Sequence, residues 1–313
     1  MDKKIIKKIF FQNGLGWARS IKKIEIGFTN EVYSVNNNFI LKVCEDTANE
    51  DKFEREVFFY NFFKDKIPVP KIISYDNSKK TYNKFFLIYR KIPGDNLYSK
   101  WHLMSNPERR KITKQFCKIL RKINKSAYKK FAKRLKLDSA LNWHNKIISQ
   151  IQISLKKIET RKLLSSKFVQ KIKKFVKANH QALTEQKIAL VYWDAHFDNI
   201  LIKNHKIVGI LDFERTELSS IDLVLDVIKR MVDYPKKYMS EEFEKFAKPK
   251  DYSQLLKWFQ EFYPELFAFK NLDKRLDLYS IEHDLDTLLG WPNSKEVRQM
   301  IAKTINSRRT TKL

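Results

Sequence analysis

Between residues 188 and 214 the chain leaves helical periodicity for three short apolar strands, Ile188 to Tyr192, Ile200 to Ile202 and Ile207 to Leu211, with helical blocks on both sides. Strands this short are not stable alone, so the elements around them must supply the core. With 313 residues, 43% of them hydrophobic and 23 of them Phe, the chain has the length and apolar content to build that core and is not a disordered polymer. The polar residues at the strand ends carry the information. Asp194 and Asn199 stand in a D-x-x-x-x-N run, and Asp212 follows thirteen residues after that Asn, between apolar residues.

The first ninety residues predict a small sheet with one helix. Lys22 to Gly27 reads as a strand entering a turn, and Glu31 to Val35 alternates with period two. Asn36-Asn37-Asn38 supplies turn chemistry because Asn tolerates left-handed backbone. Phe39 to Val43 is the next strand, so the two form a hairpin. Phe53, Val57 and Tyr60 recur at helical spacing over residues 50–64, a segment that Pro68 and Pro70 close. Phe85 to Tyr89 is a further apolar strand, ended by Pro93-Gly94. From about residue 105 the period becomes helical, with Phe116, Ile119, Leu120 and Ile123 on one stripe and Ile147, Ile151, Leu155 and Ile158 on another. The expected division is a β-rich lobe over residues 1–92 and a mostly helical lobe over 93–313, with a cleft between them.

Net charge is +27, which raises nucleic acid or another polyanion as a partner. The excess is uneven: residues 93–187 carry 25 Lys and Arg against 5 Asp and Glu, whereas residues 188–313 carry 20 of each. Only 14 of the 63 basic residues are Arg, the residue whose fork reads bases and phosphates. Solvated helix faces account for the Lys excess, and nucleic acid is not the expected main partner. No apolar run reaches the roughly 20 residues that span a bilayer, and residues 1–8 lack an uninterrupted apolar core for a signal peptide. The two cysteines, Cys44 and Cys117, have neither disulfide-scaffold nor metal-ligand spacing. A cytoplasmic protein with no membrane partner is therefore expected.

The chemistry suggested by residues 191–214 is phosphoryl transfer. Hard cations such as Mg²⁺ take oxygen ligands, which the Asn199 amide and the Asp212 carboxylate would present from adjacent strand ends. Asp194, five residues before Asn199, can accept a proton from a hydroxyl nucleophile. Upstream, Lys42 is a charge inside the apolar strand Phe39–Val43, and Glu56 lies fourteen residues later on the predicted helix. Such a pair would hold the Lys against nucleotide phosphates. Glu54 is the rival partner, on a different helical face. Gly27 and Thr29 lie in a turn whose backbone amides could cover phosphates. No G-x-x-x-x-G-K-[ST] run exists, which rules out a Walker-type loop.

In these features the chain resembles the aminoglycoside phosphotransferase family, relatives of choline and fructosamine kinases. The D-x-H-x-x-N-I-L run, the Ile210-Leu211-Asp212-Phe213-Glu214 strand end, Lys42, Glu56, Ile67-Pro68-Val69-Pro70 and Pro93-Gly94 arrive in the family's order. The resemblance implies an α+β, two-lobed protein-kinase-like fold and a small-molecule kinase. It implies ATP or GTP as donor, Mg²⁺ as cofactor and a small-molecule hydroxyl as acceptor, cationic acceptors included. It makes Asp194 the base, Asn199 and Asp212 the Mg²⁺ ligands, Lys42 the phosphate contact and Glu56 its partner. The backbone of Arg90 and Ile92 corresponds to the adenine-binding hinge, and Asp222 and Asp226 to a structural pair. One departure stands out: the family usually has His-Gly ahead of the catalytic Asp, and here Tyr192-Trp193 occupies those positions.

Two other readings stay open. A nucleotide-binding pseudokinase or regulatory module is motivated by Tyr192-Trp193. A polyanion- or RNA-binding protein on a kinase scaffold is motivated by the basic segment 93–187. Among the remaining polar residues, His196 is expected to donate a hydrogen bond that fixes the loop, with orienting the catalytic loop as the alternative, Asp198 to be solvated or capping, and Gly94 to serve turn geometry. The acidic run from Asp277 to Asp286 is expected to be a solvated helix face, with a cationic-substrate pocket as the alternative. Trp143, Trp258 and Trp291 are expected in the core.

Overall fold

The structure is a computed structural model that describes residues 1–24, 30–137, 142–237 and 241–306. It divides into two compact units, each drawn from several stretches of chain. The first comprises Met1–Lys122, Asp194–Thr216 and Arg230–Trp258; the second comprises Ile123–Trp193, Glu217–Lys229 and Phe259–Leu313.

The first unit is built on a five-stranded antiparallel sheet. Helix α1 (Lys3–Gln12) precedes it, capped by the Asp2 carboxylate, which accepts from Lys4 N at 2.9 Å. The strands are β1 (Ile21–Ile24), β2 (Asn30–Val35), β3 (Phe39–Cys44), β4 (Ile72–Asp76) and β5 (Phe86–Arg90), in the order β1-β2-β3-β5-β4. The β2–β3 hairpin turns through Asn36 and Asn37, with φ of 51° and 57°. Asn bears left-handed backbone better than other side chains, which is why this sequence reverses there. Successive residues of a strand face opposite sides. Leu41, Val43, Phe86 and Ile88 accordingly pack against Ile6, Ile9 and Phe10 of α1. Lys42, between Leu41 and Val43, faces the other side of the sheet, towards α2 (Glu50–Phe63). The sequence pattern does not predict α1 or β4. In the first, four lysines mask a short apolar stripe; the second is a half-exposed strand just after Pro70.

A second sheet in this unit joins β6 (Asp95–Asn96) to the hairpin of β8 (Ile200–Lys203) and β9 (Lys206–Ile210), in the order β6-β8-β9. The β8–β9 turn again uses left-handed residues, Asn204 and His205. Helix α3 (Leu97–Trp101) starts from Asn96, whose side chain accepts from Tyr98 N, and α4 (Asn106–Asn124) follows. Trp101 is fully buried against Phe197, ring centroids 4.6 Å apart, and its Nε1 donates to the Asp251 carbonyl. That packing fixes the loop between β7 (Ile188–Tyr192) and β8 from beneath.

The second unit is mainly helical: α5 (Trp143–Thr160), α6 (Ser166–Asn179), most of α7 (Val224–Asp233), α11 (Leu272–Gly290) and α12 (Lys295–Asn306), with β7 paired to β10 (Thr216–Ser220). Three shorter helices, α8 (Glu241–Glu244), α9 (Pro249–Tyr252) and α10 (Leu255–Phe262), lie between α7 and α11 in the chain. The predicted stripe Ile147, Ile151, Leu155 and Ile158 is buried. In the same unit Asp222 and Arg275, both fully buried, form a two-pronged ion pair of 2.7 and 3.0 Å. Arg275 also donates to the carbonyls of Ala182 and Glu185, and Tyr279 donates to Asp222. Asp226 takes hydrogen bonds from Ser280 and the His283 ring.

Two expectations are corrected here. Asp277 and Asp284 are buried, so the acidic run of α11 is not a solvated face; helical spacing puts one side of the run into the core. Trp143 and Trp258 are buried, but Trp291 is 60% exposed, because it lies just past the end of α11. Among the described residues no helix is long and apolar enough to cross a membrane.

Candidate active site

Five polar side chains from three parts of the first unit meet on the α2 side of the main sheet. Lys42 Nζ lies 2.6 Å from Glu56 Oε2 and 2.8 Å from Glu214 Oε1, and all three side chains are almost wholly buried. Burial alone would lower the Lys42 pKa, but Asp212, Glu56 and Glu214 outweigh it and hold the ammonium charged. Burial pushes the Glu56 pKa upward, with Lys42 pulling it back and the Asp212 and Glu214 carboxylates pushing it further. Tyr60, one turn along α2, donates its hydroxyl to Glu56 and accepts from Asp212 N at 3.0 Å. Asp212 holds a left-handed backbone with φ of 55°, so this hydrogen bond secures a residue in a conformation that non-glycine residues seldom adopt. Glu54, the alternative partner for Lys42, is exposed and bonded to Asn77.

The loop after β7 builds the second half. His196 Nε2 lies 3.1 Å from Asp194 Oδ1. Asn199 Nδ2 donates to the Asp194 carbonyl at 3.0 Å and makes a long contact to Asp194 Oδ2 at 3.4 Å. Leu211 N donates to the Asn199 carbonyl at 2.9 Å, which brings the residue before Asp212 alongside Asn199. Burial would raise the Asp194 pKa, but His196, Arg215 and Asn199 together lower it below the ordinary carboxylate value. Burial would lower His196, and Asp194, Asp198 and Asp212 raise it instead. His196 thus pairs with Asp194, a hydrogen bond of the kind expected to fix the loop. Asp198 is half-buried, and its carbonyl accepts from Asn96 Nδ2 at 2.9 Å, which ties the loop to β6.

At the end of β5, Arg90 N donates to the Lys71 carbonyl and Lys91 N to the Asn38 carbonyl. The guanidinium of the exposed Arg90 lies 4.9 Å from the Phe39 ring centre. Ile92 N makes no backbone hydrogen bond among the described residues. The Ile92 side chain lies against Gly209, where a Cβ would sit 2.8 Å from Ile92 Cδ1. A Cβ on Gly94 would meet Val208 Cγ2 at 2.9 Å and the Ile202 carbonyl at 3.0 Å. Close approach to the β8–β9 hairpin, rather than turn geometry, therefore requires the glycine at position 94. Gly27 and Thr29 lie outside the described residues.

The donor set fits a hard cation. Oxygens of Glu56, Asp212 and Glu214 all lie within 4.8 Å of one another, with Lys42 as the cation paired among them. Asn199 commits its amide nitrogen to Asp194, which leaves its Oδ1 as a ligand atom, and Asp212 is raised by burial and by Glu214 and Asp194. An excess of buried carboxylates that resists ionisation gains stability from an added Mg²⁺.

A model of the phosphotransferase enzyme family matches residues 20–228. The chain belongs to that family. No curated protein matches it. Solved structures of similar fold include the aminoglycoside phosphotransferase APH(2'')-Ib with ADP bound, at 16% identity over 98% of this chain and 97% of that one, TM-score 0.71. APH(2'')-IIa in complex with gentamicin matches at 16% identity over 98% and 97%, TM-score 0.72. A thermostable mutant of APH(4)-Ia matches at 13% identity over 97% and 99%, TM-score 0.70. The family fold is kinase-like, and the β-rich N-terminal sheet and helical C-terminal part accord with it.

Within this family site, three residues escape sequence reasoning. Glu214 stands in the quoted strand end, but only the structure gives it to Lys42. Asn30 Nδ2 bonds Glu214 from β2, and Asn in a hairpin reads as turn chemistry. Tyr60 reads as an apolar helix position, with nothing in the pattern to mark its hydroxyl.

Proposed function

We propose that the chain is a kinase that moves the γ-phosphate of ATP or GTP to a hydroxyl of a small molecule in the cytoplasm. The observation that carries this reading is the joining of Lys42–Glu56–Glu214 to Asp212 and, through Leu211, to the Asn199–Asp194 pair. Mg²⁺ and the nucleotide, when bound, supply the transferable phosphoryl group and the charge that offsets its oxygens.

Asn199 Oδ1 and the Asp212 carboxylate would hold the metal, and Lys42 Nζ the phosphates. Glu56 and Glu214 keep Lys42 extended from β3. The backbone of Arg90 and Ile92 would meet the base edge, with Ile92 pressed on Gly209. Asp194 stays ionised, and His196 occupies its Oδ1. Its Oδ2, with only the long Asn199 contact among the described residues, is the oxygen that would take the proton of the acceptor hydroxyl. Catalysis then rests on positioning and charge. The solved relatives include complexes with gentamicin, streptomycin and kanamycin, which makes aminoglycosides the first acceptors to test, followed by amino alcohols and sugars.

The test is nucleotide turnover with Mg²⁺ across such a panel, wild type beside Asp194→Ala. The expected result is acceptor-dependent turnover that the substitution lowers by about a hundredfold to ten-thousandfold. Mg-dependent nucleotide binding without transfer to any panel member would favour the pseudokinase reading. Failure to bind nucleotide would refute both.

A further inference from the structure

Phe11 and Trp17 are 63% and 66% exposed, an unusual state for two large aromatic side chains that touch each other. Their ring centres are 5.6 Å apart at 42°. The contact is built by the chain rather than left by a loose end. Gly14 and Gly16 are both left-handed, with φ of 68° and 72°. Leu15 N donates to the Phe10 carbonyl and Gly14 N to the Phe11 carbonyl, which closes α1 in a tight glycine turn. Asn36 then clamps the returning strand: its Nδ2 donates to the Trp17 carbonyl, and its Oδ1 accepts from Arg19 N and Ser20 N. The backbone under Trp17 is fixed while its ring stays in water.

The surroundings select the partner. Residues 3–24 contain seven basic side chains and no acidic one, and all seven are exposed. Lys4, Lys7 and Lys8 precede Phe11 by seven, four and three residues, so helical spacing puts them on its side of α1. Six of the seven are Lys, which acts as a diffuse point charge rather than a fork for reading bases. Because the two rings pack on each other, they form a knob and not an open platform on which nucleobases stack. Aromatic rings set among lysines suit the headgroup region of an anionic bilayer, where a Trp body is apolar and its edge stays wet.

We propose that this face of α1 and the turn after it attach the protein peripherally to an anionic lipid surface. The absence of long apolar runs does not bear on such attachment, since a left-handed turn assembles the knob from residues six apart. The proposal is independent of the phosphotransfer reading.

The test is co-sedimentation of the full chain with vesicles of phosphatidylcholine alone and with about a third phosphatidylglycerol. Wild type is compared with Phe11→Ser/Trp17→Ser and with Lys7→Glu/Lys8→Glu, and thermal unfolding is recorded for each to confirm the fold. Binding to the anionic vesicles only is expected. The aromatic variant should bind about tenfold more weakly, and the lysine variant should lose about fivefold or more per position. Trp17→Phe should remove most of the blue shift in tryptophan emission on vesicle addition. No binding to anionic vesicles at low salt would overturn the proposal. So would binding indifferent to the aromatic variant, or tighter binding to a single-stranded RNA with the same aromatic dependence.

Discussion

Removing the Tyr60 hydroxyl should separate the two jobs that this side chain performs. Tyr60→Phe keeps the buried ring and its edge contacts with Tyr89 and Phe213, whose centres lie 6.1 and 5.8 Å away. It deletes a hydrogen bond donated to Glu56 and one accepted from Asp212 N. The neutral bond is worth about 1 kcal/mol and the one to a carboxylate about 1.5–3 kcal/mol, so a loss of about 2–4 kcal/mol is expected. Urea unfolding measures it: the midpoint should fall with the slope unchanged. The Asp212 backbone, held left-handed by this bond, should also relax. Under the proposed function, the Mg²⁺ concentration for half-maximal turnover should rise more than the nucleotide KM. A destabilisation below about 0.5 kcal/mol with an unaltered Mg²⁺ dependence would refute the argument, because water would then replace the hydroxyl without cost.

Other changes test the rest of the structure. Asp222→Asn leaves the Arg275 charge buried without its counter-ion and should cost about 3–5 kcal/mol in unfolding, and Arg275→Met a similar amount; the double variant should lose clearly less than the sum. Burial, aided by Asp286, Asp226 and Glu217, raises Glu282 to about 7 from 4.5. Its contribution to stability is therefore full below pH 4.5 and lost as pH rises through 7, at most about 3 kcal/mol. Glu282→Gln should flatten thermal stability between pH 5 and 8. Gly209→Ala places a Cβ against the Ile92 side chain and should weaken nucleotide binding by about tenfold while lowering the unfolding free energy by no more than about 1 kcal/mol.

What could be read in the sequence was local or anomalous. Asp194, Asn199 and Asp212 are legible because a loop and a strand end fix their spacing. Lys42 and Glu56 are legible because a charge within an apolar run needs a partner. The Asn36-Asn37 reversal follows from backbone preference alone. Tyr60 and Asn30 were illegible for the opposite reason: each has an ordinary local role that hides a distant hydrogen bond. Strand β10 carries no strand pattern in the sequence because Thr216 to Ser220 is polar in composition yet mostly buried, held by pairing with β7. The burial of Asp277 and Asp284 depends on tertiary packing around α11, which no charge count anticipates.

The first unit is assembled from stretches that begin at residues 1, 194 and 230, and this bears on how the protein is made. When the first 122 residues emerge from the ribosome, α2 already carries Phe59 and Phe63, whose rings await Phe213, 6.1 and 5.7 Å away in the finished molecule. Those rings and the Lys42–Glu56 pair stay uncovered until residue 214 is synthesised, roughly ten seconds later at usual rates of about 5–20 residues per second. The nascent chain therefore passes through an interval with an adhesive apolar helix face, during which a chaperone would have its longest access. A fragment that stops before residue 194 should remain in that state and aggregate, even though it contains every strand of the main sheet.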